Sequence, residues 1–207
     1  MSAPWGPVLG LGALLLVTAT GAAEAGDVSF GLGGGVAKPN DFDVQAPYWT
    51  AGVRVRRPGL PLQLELEIGR WSKSQQWSVD NEWVSSSDRQ SRSDLHLGVN
   101  LLVQTGDQVR FWIGGGLGPH FVRSEIASTT AYPGQPEADQ AFAIAYSKTK
   151  LGIHALAGLE ARLSGRFGLF AVARGDLLKE YAQTEIKLYG GLVVDLVKAP
   201  PQRPTPD

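Results

Sequence analysis

The chain has 207 residues, 43% of them hydrophobic, with 26 glycines and no cysteine. The missing cysteines exclude a disulfide framework, a thiolate metal site and a thiol nucleophile. A formal net charge of −1, with Lys and Arg scattered along the chain, gives no electrostatic footprint for nucleic acid.

Residues 7–20 form an apolar run with VLGLGALLLV at its centre, followed by small residues and Ala23-Glu24-Ala25. The α-amine is the only positive charge ahead of it, and the run falls short of the roughly 20 residues that span a bilayer. Residues 1–25 are therefore expected to be a secretory signal that is removed, and 26–197 the folded domain.

From Asp27 a period of two begins, with Val28, Phe30, Leu32 and Val36 on one face and Ser29, Gly31, Gly33 and Gly35 on the other. Lys38-Pro39-Asn40-Asp41 breaks it. A second strand alternates Trp49, Ala51, Val53 and Val55 with Thr50, Gly52, Arg54 and Arg56, and turns at residues 57–61. A third sets Leu62, Leu64, Leu66 and Ile68 against Gln63, Glu65, Glu67 and Gly69. A hairpin turn at residues 79–82 would pair Leu66 with Leu95 and carry strands three and four unbroken to their tip. Strand four shows Leu95, Leu97, Val99, Leu101 and Val103 against His96, Gly98 and Asn100. After a tight turn at 105–107, strand five has Val109, Phe111, Ile113, Leu117 and Phe121 opposite Arg110, Trp112, Gly114, Gly116, Gly118 and His120. A loop is expected over about 127–140.

The clearest stretch is 148–176. Leu151, Ile153, Ala155, Ala157, Leu159, Ala161 and Leu163 alternate with Lys148, Lys150, Gly152, His154, Glu160 and Arg162, and the pattern resumes after Ser164-Gly165-Arg166. Gly165 is expected to take the left-handed position of that turn. An eighth strand runs from Thr184 to about Leu196, and residues 198–207 form a Pro-rich flexible tail. Eight strands without an intervening helix, joined alternately by short and long connections, predict an all-β fold: an eight-stranded antiparallel up-and-down barrel.

Alternation leaves open which face is outside, since a lipocalin-like binder would bury the apolar one. Glycines concentrate on the polar face, as a narrow lumen requires. Phe30, Phe111 and Phe167 near one end, with Trp49 and Phe121 near the other, suit two interfacial girdles. The short and long connections suit periplasmic turns and external loops. These features predict a transmembrane barrel.

The signal, the eight strands and the loop asymmetry resemble bacterial outer-membrane β-barrel proteins of the OmpA/OmpX, OmpW and opacity-protein kind, over nearly all of 27–196. Tyr189, Gly191, Val194 and Leu196 look like the assembly signal closing such chains, although Leu196 stands where an aromatic is usual and a tail follows. The resemblance implies the outer membrane as location, with membrane lipid and the barrel-assembly machinery as partners.

The inward face carries Arg54, Arg56, Glu65, Glu67, Arg110, Lys150, Glu160, Arg162 and Arg174, both signs mixed, which should pair as a lumen charge network. His96, His120 and His154 also face inward. Counted from tight turns, His120 lies about four residues nearer the outer rim, too far for a shared metal shell, so no metal is expected. Resemblance to the barrel deacylases would require a close His/Ser pair with a carboxylate. His120, Ser124 and Glu125 come nearest, but four residues along a strand is roughly 13 Å, so neither catalysis nor a cofactor is expected. Trp71, Trp77 and Trp83 lie on or just before the projecting 3–4 hairpin, where Trp77 and Trp83 are candidates for external recognition of a protein or glycan. The expected role is structural or surface interaction. The alternatives are a narrow OmpW-like path for a small, apolar solute and, third, a secreted lipocalin-like binder.

Overall fold

The computed structural model describes residues 26–40, 45–57, 59–106, 108–179 and 183–197; the expected signal peptide and Pro-rich tail lie outside them. Eight strands follow one another: β1 (Asp27–Pro39), β2 (Ala46–Arg56), β3 (Leu62–Asp80), β4 (Ser85–Thr105), β5 (Val109–Ala131), β6 (Gln140–Ser164), β7 (Phe167–Leu178) and β8 (Gln183–Val197). Each pairs antiparallel with the next, and β8 returns to β1, closing the barrel. Closure gives the backbone of the spanning region partners within the sheet, which a structure surrounded by lipid requires.

Side-chain parity then separates two surfaces. Leu32, Leu64, Leu101, Ile113, Ile153, Leu169, Ile186 and Leu192 are exposed on the outside, while Arg54, Glu65, Glu67, Asn100, Glu160, Arg174 and Lys187 are buried inside. Large apolar groups that face outward all the way round have no place in water, so the barrel spans a membrane. The lipocalin-like arrangement, with Leu64 and Leu159 lining a pocket, is not the one adopted; both are exposed.

The belt ends on one side at the turns after β2, β4 and β6. On the other it ends where Arg70, Ser93, Arg123 and Thr149 take outward positions on β3 to β6. Beyond that level these four strands continue as a free-standing sheet. Arg70 pairs with Leu95, and the β3–β4 ladder runs on to Asp80 and Ser85. The β5–β6 ladder reaches Thr130 and Gln140. Of the loop expected over 127–140, residues 127–131 and 140 are strand, and the true connection is 132–139, with a 3₁₀ turn at Pro136–Ala138. Alternating Ala141, Ala143 and Ala145 with Phe142, Ile144 and Tyr146 keeps the period of two; the small residues make it read as loop.

Three further expectations are corrected. The β3–β4 connection spans residues 81–84, so Leu66 faces Val99 and Leu64 faces Leu101. Asn81 decides this: its Oδ1 accepts from the backbone N–H of Trp83 and of Val84, both at 2.9 Å, a local turn that a register count from apolar matches cannot see. Gly165 does not take a left-handed backbone, whereas Gly59, Gly106 and Gly134 do. A register shift between Arg162 and Ser164 brings Ser164 opposite Phe167, shortening the turn. Val28, expected on the lipid face, is buried beside a second register shift in the β1–β8 pairing.

Candidate functional site

The lumen is filled by paired charges and rings. Near the periplasmic turns, Glu160 accepts from Arg54 at 3.2 Å and Arg110 at 3.3 Å, and Arg162 forms ion pairs with Glu160 and Asp195, each at 2.8 Å. Arg54 donates to Glu65 at 2.6 Å and lies between the rings of Trp112 and Phe170, 5.1 and 5.2 Å from their centroids. Arg56 pairs with Asp27. Higher up, Arg174 bridges Glu67 at 2.5 Å and Asp176 at 2.7 Å, and Lys187 sits 3.1 Å from both Asp176 and Glu185. Lys150, the outermost of the expected set, donates to Gln183 at 2.8 Å.

These contacts join most of the inward charges into a network, and it has members that composition does not single out. Tyr48, Thr50 and Asn100 all donate to Glu67, at 3.0, 2.7 and 3.2 Å. Trp71, placed with the projecting hairpin by sequence, is buried in the lumen and donates to Glu185 at 3.1 Å. Its odd number on β3 is the available signal, because it shares parity with Glu65 and Glu67. A cavity of about 210 Å³ at the outer mouth, lined by Asn40, Arg92, Lys148, Lys150 and Gln183, and one of about 200 Å³ at the periplasmic mouth, lined by Asp27, Arg56, Arg110 and Arg162, lie on either side of this packed layer.

His96 and His120 are direct cross-strand partners with rings stacked at 5.1 Å. Counting from a tight β4–β5 turn separates them by four residues, but the ladder begins at Thr105 and Phe111, which shifts every pair. Ser124 is buried on the same face, but His120 uses Nδ1 to meet Asp94 at 2.8 Å. Glu125 is on the opposite face, accepting from Arg123 at 2.8 Å. These three residues assemble no nucleophile, base and orienting acid.

The external sheet reverses the rule that governs the barrel. On the face continuous with the lumen, cross-strand rows read Gln75, Gln90, Ile126, Ile144 and then Trp77, Asp88, Ser128, Phe142. Phe142 and Ile144 are 53% and 57% exposed, Trp77 50%, and Val79, Ile126 and Tyr146 are exposed beside them. The reverse face holds Ser74, to which Arg89 and Ser91 donate at 3.2 and 3.0 Å, and Gln76, which donates to Ser87 at 3.0 Å, with Arg123, Glu125 and the β6 alanines. Trp83 projects from the tip at 75% exposure. Among the described residues, β3 beyond Trp71 has no partner on β2, and β6 before Gly152 has no strand partner on β7, so the sheet has two open edges.

Of the other expected residues, Phe30, Trp49, Phe111, Phe121 and Phe167 all point outward and are exposed, in two groups near opposite ends of the belt. In the last strand Tyr189 is buried inside against Tyr48 and Phe170, Gly191 is half-buried in the lumen, Val194 is half-buried and Leu196 faces out.

No protein-family model and no curated protein matches the sequence. Among solved structures, a major outer membrane protein from Thermus thermophilus is similar at 14% identity and a TM-score of 0.50, covering 83% of this chain and 100% of that one. The attachment invasion locus protein Ail of Yersinia pestis (11% identity, 82% and 98% covered, TM-score 0.46) and Neisserial surface protein A (13%, 82% and 96%, 0.46) are also similar. The likeness to the Thermus protein agrees with the fold, a closed eight-stranded barrel.

Proposed function

We propose that this outer-membrane barrel is a non-catalytic surface-interaction protein whose external sheet binds a partner protein. The observation that supports this reading is the reversal of polarity above the belt. A sheet that merely stiffened the hairpins would gain nothing from exposing Trp77, Val79, Ile126, Phe142 and Ile144 to water, because that surface is stabilising only when covered. A protein strand is the occupant that fits. The open edge of β6 offers backbone hydrogen bonds, and alternate Phe142 and Ile144 offer an apolar row beside them, the geometry of strand addition. A glycan would call for rings flanked by paired polar groups, whereas the β6 row here is aliphatic and aromatic.

Transport gains no support from the lumen, whose central layer of Glu67, Asn100, His154, Arg174 and Asp176 is closed by mutual contacts.

The test is to pan a displayed peptide library against the barrel in lipid nanodiscs. Enriched peptides should alternate apolar residues, and should lose binding to a Phe142→Ser/Ile144→Ser variant while binding a Thr129→Ala reverse-face variant normally. Enrichment of no peptide, or equal binding to the Ser variants, would remove the proposal.

A further inference from the structure

Asp94 and His96 on β4 and His120 on β5 form a buried group at the level where the external sheet leaves the barrel. One ligand atom from each lies within 4.8 Å of the others. All three residues are fully buried, yet Asp94 Oδ1, His96 Nδ1 and His120 Nε2 have no hydrogen-bond partner. Three unpartnered polar atoms in one buried cluster carry an appreciable desolvation cost, and a bound ion would remove it.

The surroundings also suit a cation. Glu67, Asp94, Asp176 and Glu185 meet around the rings; Arg174 and Lys187 pair with Glu67, Asp176 and Glu185, whereas Asp94 meets His120. With the imidazoles neutral, four carboxylates against two cations leave two negative charges, set against Arg92, the next inward residue of β4, whose guanidinium lies over the ring of Trp71. The remaining contacts resemble an orienting outer shell. His96 Nε2, the ring nitrogen other than the unpartnered Nδ1, lies 3.4 Å from the Tyr48 hydroxyl and 3.8 Å from Glu67, and His120 Nδ1, across the ring from its unpartnered Nε2, meets Asp94 at 2.8 Å. Carboxylates beside ligand imidazoles fix the ring orientation and raise basicity.

We infer that Asp94, His96 and His120 bind one divalent first-row transition metal ion. Two imidazoles and a carboxylate are a donor set for zinc, nickel or cobalt rather than for calcium or magnesium. Bringing the ligand atoms from within 4.8 Å to the separation of a tetrahedral shell requires the two stacked imidazoles to turn so that their lone pairs converge on the ion. The ion would clamp β4 to β5 at the root of the external sheet, a structural role independent of what that sheet binds.

The experiment uses tag-free barrel, since the chain's three histidines are then the only imidazoles. The protein is refolded into nanodiscs with and without metal, stripped with EDTA, and titrated with Co²⁺ and Zn²⁺. The expected result is one equivalent of Co²⁺ with a tetrahedral d–d absorption that Zn²⁺ displaces, and a gel-shift midpoint raised by metal. His96→Gln, His120→Gln and the near-isosteric Asp94→Asn should each weaken binding by roughly tenfold or more. His154→Gln, which removes the lumen histidine outside the group, should leave it intact. Heat-dependent gel mobility selects the folded variants. Two results overturn the assignment: folded wild-type protein that takes up no more metal than the His96→Gln/His120→Gln variant, or stoichiometric binding that survives in that variant.

Discussion

Replacing Arg174 by Gln tests whether the lumen network holds the barrel closed. The guanidinium is fully buried, donates to Glu67 at 2.5 Å and to Asp176 at 2.7 and 2.9 Å, and contacts His154 Nδ1 at 3.1 Å. Its loss falls unevenly. Asp176 keeps Lys187 at 3.1 Å, while Glu67 keeps hydrogen bonds from Tyr48, Thr50, Asn100 and Tyr189 but only His96, at 3.8 Å, as a partner that can carry positive charge. Leaving a buried carboxylate without its cation costs about 3–5 kcal/mol. Adding Glu67→Gln removes the stranded charge and should restore about 1 kcal/mol or more. Stability would be measured by urea titration in lipid vesicles, following tryptophan fluorescence. The exposed Arg123–Glu125 pair serves as reference, since Arg123→Ala should cost at most about 1 kcal/mol. A loss below about 1 kcal/mol for Arg174→Gln, or a double variant no more stable than the single, would refute the account.

Four more outcomes follow from the same geometry. A Cβ at Gly158 would collide with the ring atoms of Trp112, so Gly158→Val should destabilise the barrel by about 1–3 kcal/mol, whereas Gly175→Ala, with nothing within 4 Å, should be near neutral in the same titration. Ala157 is outward near the middle of the belt, and Ala157→Arg should cost about 2–4 kcal/mol in vesicles. Asn81→Ala removes both hydrogen bonds of the tip turn and should speed proteolytic cleavage there without moving the urea midpoint of the barrel. Planar-bilayer recordings should show no conductance steps for wild-type protein; steps that change on Arg110→Ala would instead support a solute path.

The barrel was legible in the sequence because one local rule, alternation of apolar and polar residues, holds through all eight strands and is satisfied by one closed sheet. From Leu151 to Leu177 every outward and inward assignment follows from residue parity alone, and so does the lumen position of Arg54, Glu67 and Arg174. Position along the barrel was not legible in the same way. Parity is unchanged when a strand slides by two or four residues, so apolar matching accepts Leu66 opposite Leu95 as readily as Val99. The side chain of Asn81 chooses between them in the β3–β4 pair, and the β4–β5 turn, whose ladder begins at Thr105 and Phe111, sets the register of the next pair. That second register decides whether His96 and His120 meet, and hence whether a candidate metal site exists at all. The external sheet escapes for a related reason: Phe142, Ile144 and Tyr146 keep the period of two on the parity that is polar below. Only the tertiary structure shows where the membrane belt ends and the same face becomes an exposed apolar surface.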